Sequence, residues 1–252
     1  MVKPHVLILR APGTNCHQET AEACRTAGGH PVVLPLQALL EHPGRLLQYH
    51  MLVIPGGFSY GDHLGAGRVL GLILRKRLGD HLDNFVSEGK PVMGICNGFQ
   101  ALMWAGLLPS PEYRGKATLT RNSHGLFECR WVSIVAVRTC PFTQGLEGME
   151  IPMPVAHAEG RLIVHQATER DLHFKGLVAF RYTGPDSASM SYPWNPNGSW
   201  DNVAGLCNPQ GNVLGIMPHP ERACFPWHMP DRSPAKGLAI FRNAIRYALE
   251  AT

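Results

Sequence analysis

The stretch PVMGICNGFQALMWAG, residues 91–106, sets a short apolar run directly against a helical pattern. Val92, Met93 and Ile95 read as a strand, because an apolar run without alternation belongs to a strand covered on both faces. Asn97 onward reads as a helix. Between them lies Cys96, flanked by Gly94 and Gly98, the layout that places a nucleophile on a sharp strand-to-helix turn. The helix behind it aims its first N–H groups and its positive dipole end at the sulfur, which favours a thiolate. The competing interpretation is an inert buried thiol, since free cysteine is among the most buried residue types.

Working outward, the same alternation continues. VLIL (6–9) reads as a strand followed by a Gly13-Thr14-Asn15 turn and a helix through Glu19, Ala23 and Ala27. VVLPL (32–36) and MLVI (51–54) read as strands covered on both faces, and Leu70, Leu74, Leu78 and Leu82 mark one face of a helix. Strands alternating with helices imply an α/β fold with a doubly wound, mostly parallel sheet and flanking helices, its ligand site at the carboxyl ends of the strands. From Lys116 the texture turns β-rich, with WVSIVAV (131–137) and LIVHQA (162–167) extending or flanking the sheet. The turn-rich loop SYPWNPNGSWDN (191–202) precedes two more strands in VAGLCN and NVLGIMPHPER. A closing helix is expected from an N-cap at Ser233 and Pro234 at its first position, with Leu238, Phe241, Ile245 and Leu249 as its buried stripe. No repeat or charge-block linker interrupts residues 1–252, so one domain is expected.

Composition narrows the classes. The 252 residues are 44% hydrophobic and 17% charged, which suits a globular chain and excludes a disordered one. A net charge of +4 is mild, and the one tight basic run, Arg75-Lys76-Arg77, lies in a helical stretch without interleaved aromatics, so no nucleic-acid partner is expected. The seven cysteines are an odd, widely spaced set without C-x-x-C, which suits reduced thiols in a cytoplasmic protein. The start MVKPHVLILRAPG has no secretory pattern, and no run approaches the roughly 20 apolar residues that span a bilayer.

Two further motifs carry chemistry. Pro55-Gly56-Gly57 follows the MLVI strand, where paired glycines let backbone N–H groups approach a ligand or simply form a turn. Met217-Pro218-His219-Pro220-Glu221-Arg222 lies 123 residues past Cys96. A cysteine nucleophile needs a base and a group that orients the base, and His219 with Glu221 offers both; the alternative is a surface turn with an ordinary ion pair. His157-Ala158-Glu159 opens like a zinc deaminase signature, but no P-C-x-x-C follows, and no H-E-x-x-H replaces it, so no metal is expected. A phosphate loop of the G-x-x-x-x-G-K-[ST] type is also missing, so ATP use by this chain is not expected.

Taken together, PGGFSYGD, GICNGFQ and PHPER resemble the class I, triad-type glutamine amidotransferases. RAPGTNC, AHAEG (156–160), Arg181-Tyr182 and NPNGS (195–199) narrow the resemblance to glutaminase subunits of formylglycinamidine ribonucleotide synthase. It spans Val6 to about Arg222, with departures at His17, His63 to Gly67, and Ala158. The resemblance implies Cys96 as nucleophile, His219 as general base and acid, and Glu221 as its orienting carboxylate. It further implies an oxyanion hole at Gly56, Gly57 and Asn97, with Gln100 holding L-glutamine. No cofactor is implied on this chain. ATP and Mg belong to a large synthetase subunit, joined by a small bridging subunit. A stand-alone cysteine hydrolase and a non-catalytic binding protein on the same scaffold remain alternatives.

Overall fold

The computed structural model describes residues 3–185 and 191–251; residues 1, 2, 186–190 and 252 lie outside the described residues. Strands β1 (His5–Arg10), β2 (His30–Pro35), β3 (Met51–Ile54) and β4 (Val92–Ile95) pair in parallel in the order β2-β1-β3-β4. β3 and β4 are buried at every position, as strands covered on both faces must be. Helix α1 (His17–Thr26) follows β1 and α2 (Leu36–Glu41) follows β2. Helix α3 (Arg68–Ser87) follows β3 and buries Leu70, Leu74, Leu78 and Leu82 as the fourfold spacing requires, while α4 (Asn97–Ala105) follows β4 and packs on α3.

β2 corrects one expectation. It begins at His30 and ends at Pro35, and only Leu34 in it is buried, so it is not covered on both faces. It is the edge of the sheet, where Pro31 and Pro35 forfeit no ladder hydrogen bonds on the open side. Leu36 already belongs to α2.

The β-rich second half extends this same sheet. In chain order it contributes β5 (Ala117–Thr120), β6 (Glu128–Ala136), β7 (Glu150–His157), β8 (Arg161–Val164), helix α5 (Gln166–Phe174), β9 (Val178–Thr183), β10 (Val203–Cys207) and β11 (Val213–Ile216). β11 lies parallel to β4; beyond it β10, β9, β6 and β7 continue antiparallel to complete nine strands. β5 and β8 form a separate two-stranded ribbon. LIVHQA is strand only through Val164, because the His165 side chain accepts the Ala167 N–H and caps α5. β7 carries Pro152 and Pro154, which its position at the other sheet edge tolerates.

The closing helix α6 spans Gly237–Glu250 and not the Ser233–Pro234 start. The Ser233 N–H is engaged by the Asp231 carboxylate, and Gly237 sits so tightly on the PHPER turn that a Cβ there would lie 2.4 Å from the Pro220 oxygen. Leu238, Phe241 and Ile245 are buried, but Leu249 is 46% exposed, and Ala248 completes the stripe in its place. Among the described residues no helix is long and apolar enough to cross a membrane.

Packing of α4 on β3 is the tightest glycine contact in the core. Gly98→Ala would bring a Cβ within 1.8 Å of the Ile54 oxygen. It is expected to cost about 3 kcal/mol or more in urea unfolding. Gly44→Ala meets nothing within 4 Å and is expected to stay within about 0.5 kcal/mol.

Candidate active site

Cys96 occupies the single residue between β4 and α4, with φ 50° and ψ −105°. A non-glycine residue held at that backbone conformation is strained, and it persists because its surroundings over-determine it. A Cβ on Gly94 would lie 2.6 Å from the Gly98 oxygen, so both glycines are required for the helix to start so close behind the strand. The Cys96 N–H donates to the Ile216 oxygen at 2.8 Å, fastening the elbow to the end of β11. The side chain is 5% exposed, and its sulfur lies 3.6 Å from the Ala156 oxygen.

His219 follows β11 and is held to the end of β7 by its N–H, which donates to the Pro154 oxygen at 2.8 Å. Its Nδ1 donates to Glu221 Oε1 at 2.6 Å, with both side chains buried. This leaves Nε2 buried and, among the described residues, without a hydrogen-bond partner, on a residue that shares a cavity with Cys96. Burial opposes a charge on this imidazole, but Glu221 and the Cys96 sulfur outweigh it and hold the pKa well above the ordinary histidine value. An imidazole so placed can take and return a proton at Nε2 while Nδ1 stays fixed.

The glycines of PGG divide their work. A Cβ on Gly56 would lie 2.8 Å from His219 Cε1, so Gly56 lets the imidazole rest on bare backbone and does not line the cavity. Gly57, at φ 147°, lines the cavity beside Cys96 and is bracketed by the first turn of the chain through its bridge to Thr14. The Asn97 side chain turns away from the sulfur: its Oδ1 accepts the Ser59 N–H at 3.1 Å, and its Nδ2 donates to Asp62 and Gln100, each at 3.0 Å. Only its backbone N–H remains suited to an oxyanion. Gln100 lines the cavity and donates through Nε2 to the Glu159 backbone oxygen at 2.6 Å.

Three neighbours of the site were not assigned roles by sequence reasoning. Cys16 is buried against the triad, its sulfur accepting from Arg222 Nη2 at 3.1 Å, and burial pushes its thiol pKa up. Its only local signal is its place in RAPGTNC. Asp62 and Glu159 line the cavity with Cys96. The AHAEG and NPNGS motifs prove to be one structure: Asn122 Oδ1 accepts from Gly160 N, Asn197 Nδ2 donates to the Gly160 oxygen, and Ser199 Oγ accepts from Leu162 N. NPNGS therefore braces the cavity wall from behind.

Among the described residues, Cys16, His219 and Glu221 are the group whose ligand atoms come within 4.8 Å of one another. Within this group His219 Nδ1 is bonded to Glu221 Oε1, and the Arg222 guanidinium donates to the Cys16 sulfur.

Fold and site together define a class, the thiol-dependent amidotransferases built on a doubly wound sheet. The family model for the CobB/CobQ-like glutamine amidotransferase domain matches residues 3–248, and the chain belongs to this family. Within it, the chain is 44% identical over 239 residues to phosphoribosylformylglycinamidine synthase subunit PurQ of Treponema denticola, covering 87% of this chain and 88% of the relative. To PurQ of Dehalococcoides mccartyi it is 42% identical over 259 residues, covering 98% and 99%. The solved structure of PurLQS from Thermotoga maritima superposes with a TM-score of 0.76 at 32% identity, covering 98% of this chain and 99% of that one.

His157 supplies a pH test of the wall. Burial, with His219 adding to it, drives its pKa from 6.5 down to about 3. The unfolded chain therefore takes up this proton first, so the contribution to stability is full above pH 6.5 and is lost as pH falls toward 3. In urea unfolding across that range, the stability gap between wild type and His157→Gln should be widest near neutrality and shrink in acid. A gap independent of pH would contradict the assignment.

Proposed function

We infer that this chain is the glutaminase subunit of a formylglycinamidine ribonucleotide synthase, releasing ammonia from L-glutamine for a synthetase on another polypeptide. The observation that carries this reading is the convergence of Cys96 with the His219–Glu221 pair on one cavity, in a chain that aligns along nearly its full length with PurQ. The Cys96 thiolate attacks the side-chain amide carbon of glutamine. Backbone N–H groups of Gly57 and Asn97 receive the oxyanion. His219 gives its proton to the departing ammonia as the tetrahedral intermediate collapses to a γ-glutamyl thioester. Water then attacks the thioester, His219 takes its proton, and glutamate leaves with the thiolate restored. Glu221 fixes the tautomer throughout.

The ammonia converts formylglycinamide ribonucleotide to formylglycinamidine ribonucleotide, a step of purine biosynthesis that consumes ATP. ATP and Mg belong to the partner in this reading. The Thermotoga relative is solved as PurLQS, which supports a large synthetase and a small bridging subunit as partners. Cytoplasmic placement fits seven free thiols. The match of the family model from residue 3 to residue 248 supports a single amidotransferase domain.

Cys96→Ala is expected to lower glutamine hydrolysis by about 10,000-fold or more while the assembled complex still aminates its substrate from ammonium salt. Failure with ammonium as well, in an intact complex, would break this division of labour. His219→Ala is expected to cost at least about tenfold more than Glu221→Gln, since one carries the proton and the other only orients the ring.

The isolated chain is expected to hydrolyse glutamine about 100- to 1,000-fold more slowly than the complex with nucleotide and formylglycinamide ribonucleotide bound, the value of one oxyanion donor brought into line. Glutamate production measured alone, with partner, and with partner plus ligands checks this. Equal rates would favour a stand-alone hydrolase.

A further inference from the structure

We propose that Cys16, fixed by Arg222, is a positioning residue for the reaction: its sulfur closes the slot in which the His219 imidazole stands and keeps Nε2 available to Cys96. The proposal rests on the glutaminase reading and concerns what holds the base, not what binds the amino acid. The His219–Glu221 pair has few anchors of its own. The Nδ1 to Oε1 bond joins the two side chains to each other, but among the described residues neither His219 Nε2 nor Glu221 Oε2 has a hydrogen-bond partner. The bond from His219 N–H to the Pro154 oxygen fixes the backbone and leaves the side-chain torsions free. Whatever restrains the ring must therefore pack against it.

Cys16 is in place to do so. It is the N-cap of α1, where its oxygen accepts from Thr20 N at 3.1 Å and Thr20 Oγ1 at 2.6 Å, and its own N–H donates to the Gly56 oxygen at 3.2 Å. Sulfur and imidazole share the bare spot that Gly56 leaves. A Cβ on Gly56 would lie 3.1 Å from Cys16 Sγ and 2.8 Å from His219 Cε1. The sulfur, an imidazole nitrogen and a Glu221 oxygen all lie within 4.8 Å of one another. The sulfur is itself tethered on two sides, since its S–H donates to Asn15 Oδ1 and it accepts from Arg222 Nη2, each at 3.1 Å. Arg222 is tied in turn to Glu19 Oε1 at 3.2 Å. A chain of polar contacts thus runs from Glu19 through Arg222 to the sulfur beside the ring.

The residue type matters as well as its place. Burial pushes the Cys16 pKa up, so at neutral pH the group is a thiol. A thiolate there would compete with Cys96 for the imidazolium proton, whereas a neutral thiol sets a soft, polarisable surface against the ring. Burial opposes charge on His219, and Glu221, the Cys96 sulfur and the contact with Cys16 together outweigh it. Alanine at position 16 would remove both the acceptor for Arg222 and the neighbour of the ring. Serine, close to alanine in volume, would keep the acceptor. The two substitutions therefore separate a polar tether from simple filling of space.

The test uses the complete synthetase complex with nucleotide and acceptor substrate. Glutamate production is measured for wild type, Cys16→Ala, Cys16→Ser, Arg222→Met and the double variant Cys16→Ala with Arg222→Met, and amination from ammonium salt reports an intact complex. Cys16→Ala is expected to lower kcat by about 10- to 100-fold, the cost of a misplaced catalytic group, with KM for glutamine within about threefold of wild type. Cys16→Ser is expected to restore kcat to within about threefold of wild type, because the hydroxyl still accepts from Arg222. Arg222→Met is expected to lower kcat by about 3- to 10-fold. The double variant is expected to stay within about twofold of Cys16→Ala, because Arg222 acts through the sulfur. Equal losses in Cys16→Ala and Cys16→Ser would overturn the proposal, as would an effect on KM alone or losses that multiply in the double variant. Should Cys16→Ala fail with ammonium as well, Arg222→Met decides: a wild-type kcat there would overturn the proposal, and the stated loss with unchanged KM would uphold it. No glutamate from the wild-type complex would remove the glutaminase reading itself.

Discussion

The site depends on an approach of backbone to backbone, where the first turn of α4 lies against the end of β3 with only Gly98 between them. That contact leaves Cys96 one residue in which to reverse the chain, and the left-handed backbone there is the result. From the same elbow a hydrogen bond runs to Ile216, so the strand that delivers His219 is registered directly against the residue that carries the sulfur. Gly56 repeats the principle on the histidine side, where the missing Cβ is the space the imidazole occupies. Nucleophile and base are therefore aligned by what the chain omits, a form of preorganisation.

The cavity straddles the change of direction in the sheet. Cys96 and His219 follow neighbouring parallel strands, β4 and β11, whereas Ala156 to Glu159 come from the end of β7, at the far edge of the antiparallel half. The bond from His219 N–H to the Pro154 oxygen stitches the two halves together. Behind that wall, the Asn122, Asn197 and Ser199 bonds tie down the loop after β7, which would otherwise end a free edge strand.

Sequence made the parallel half legible because its signals are local. MLVI and PVMGI are uninterrupted apolar runs, α3 shows its fourfold leucine spacing, and G-x-C-x-G with P-H-P-E carries its chemistry within a few residues. β7 was hidden by Pro152 and Pro154, which argue against a strand unless the strand is known to lie at an edge, a fact of topology. The exposure of β2 escaped for the same reason. The true start of α6 depends on Gly237 meeting Pro220, and Gly56 owes its role to a histidine far along the chain. Asp62, Glu159 and Cys16 join the site through bonds between distant residues, so no periodicity marks them.

The neutral state of His157 has a further meaning for the product. Ammonia is useful to a synthetase only while it keeps its lone pair, and any acidic proton it meets on leaving would cost it that. The wall formed by Ala156, His157 and Ala158 offers none at neutral pH, since burial holds the His157 pKa down at about 3. In the proposed reaction the proton comes from one imidazole, which is spent when the amide bond breaks, and the wall beside the sulfur has no proton to add when the gas-like product forms.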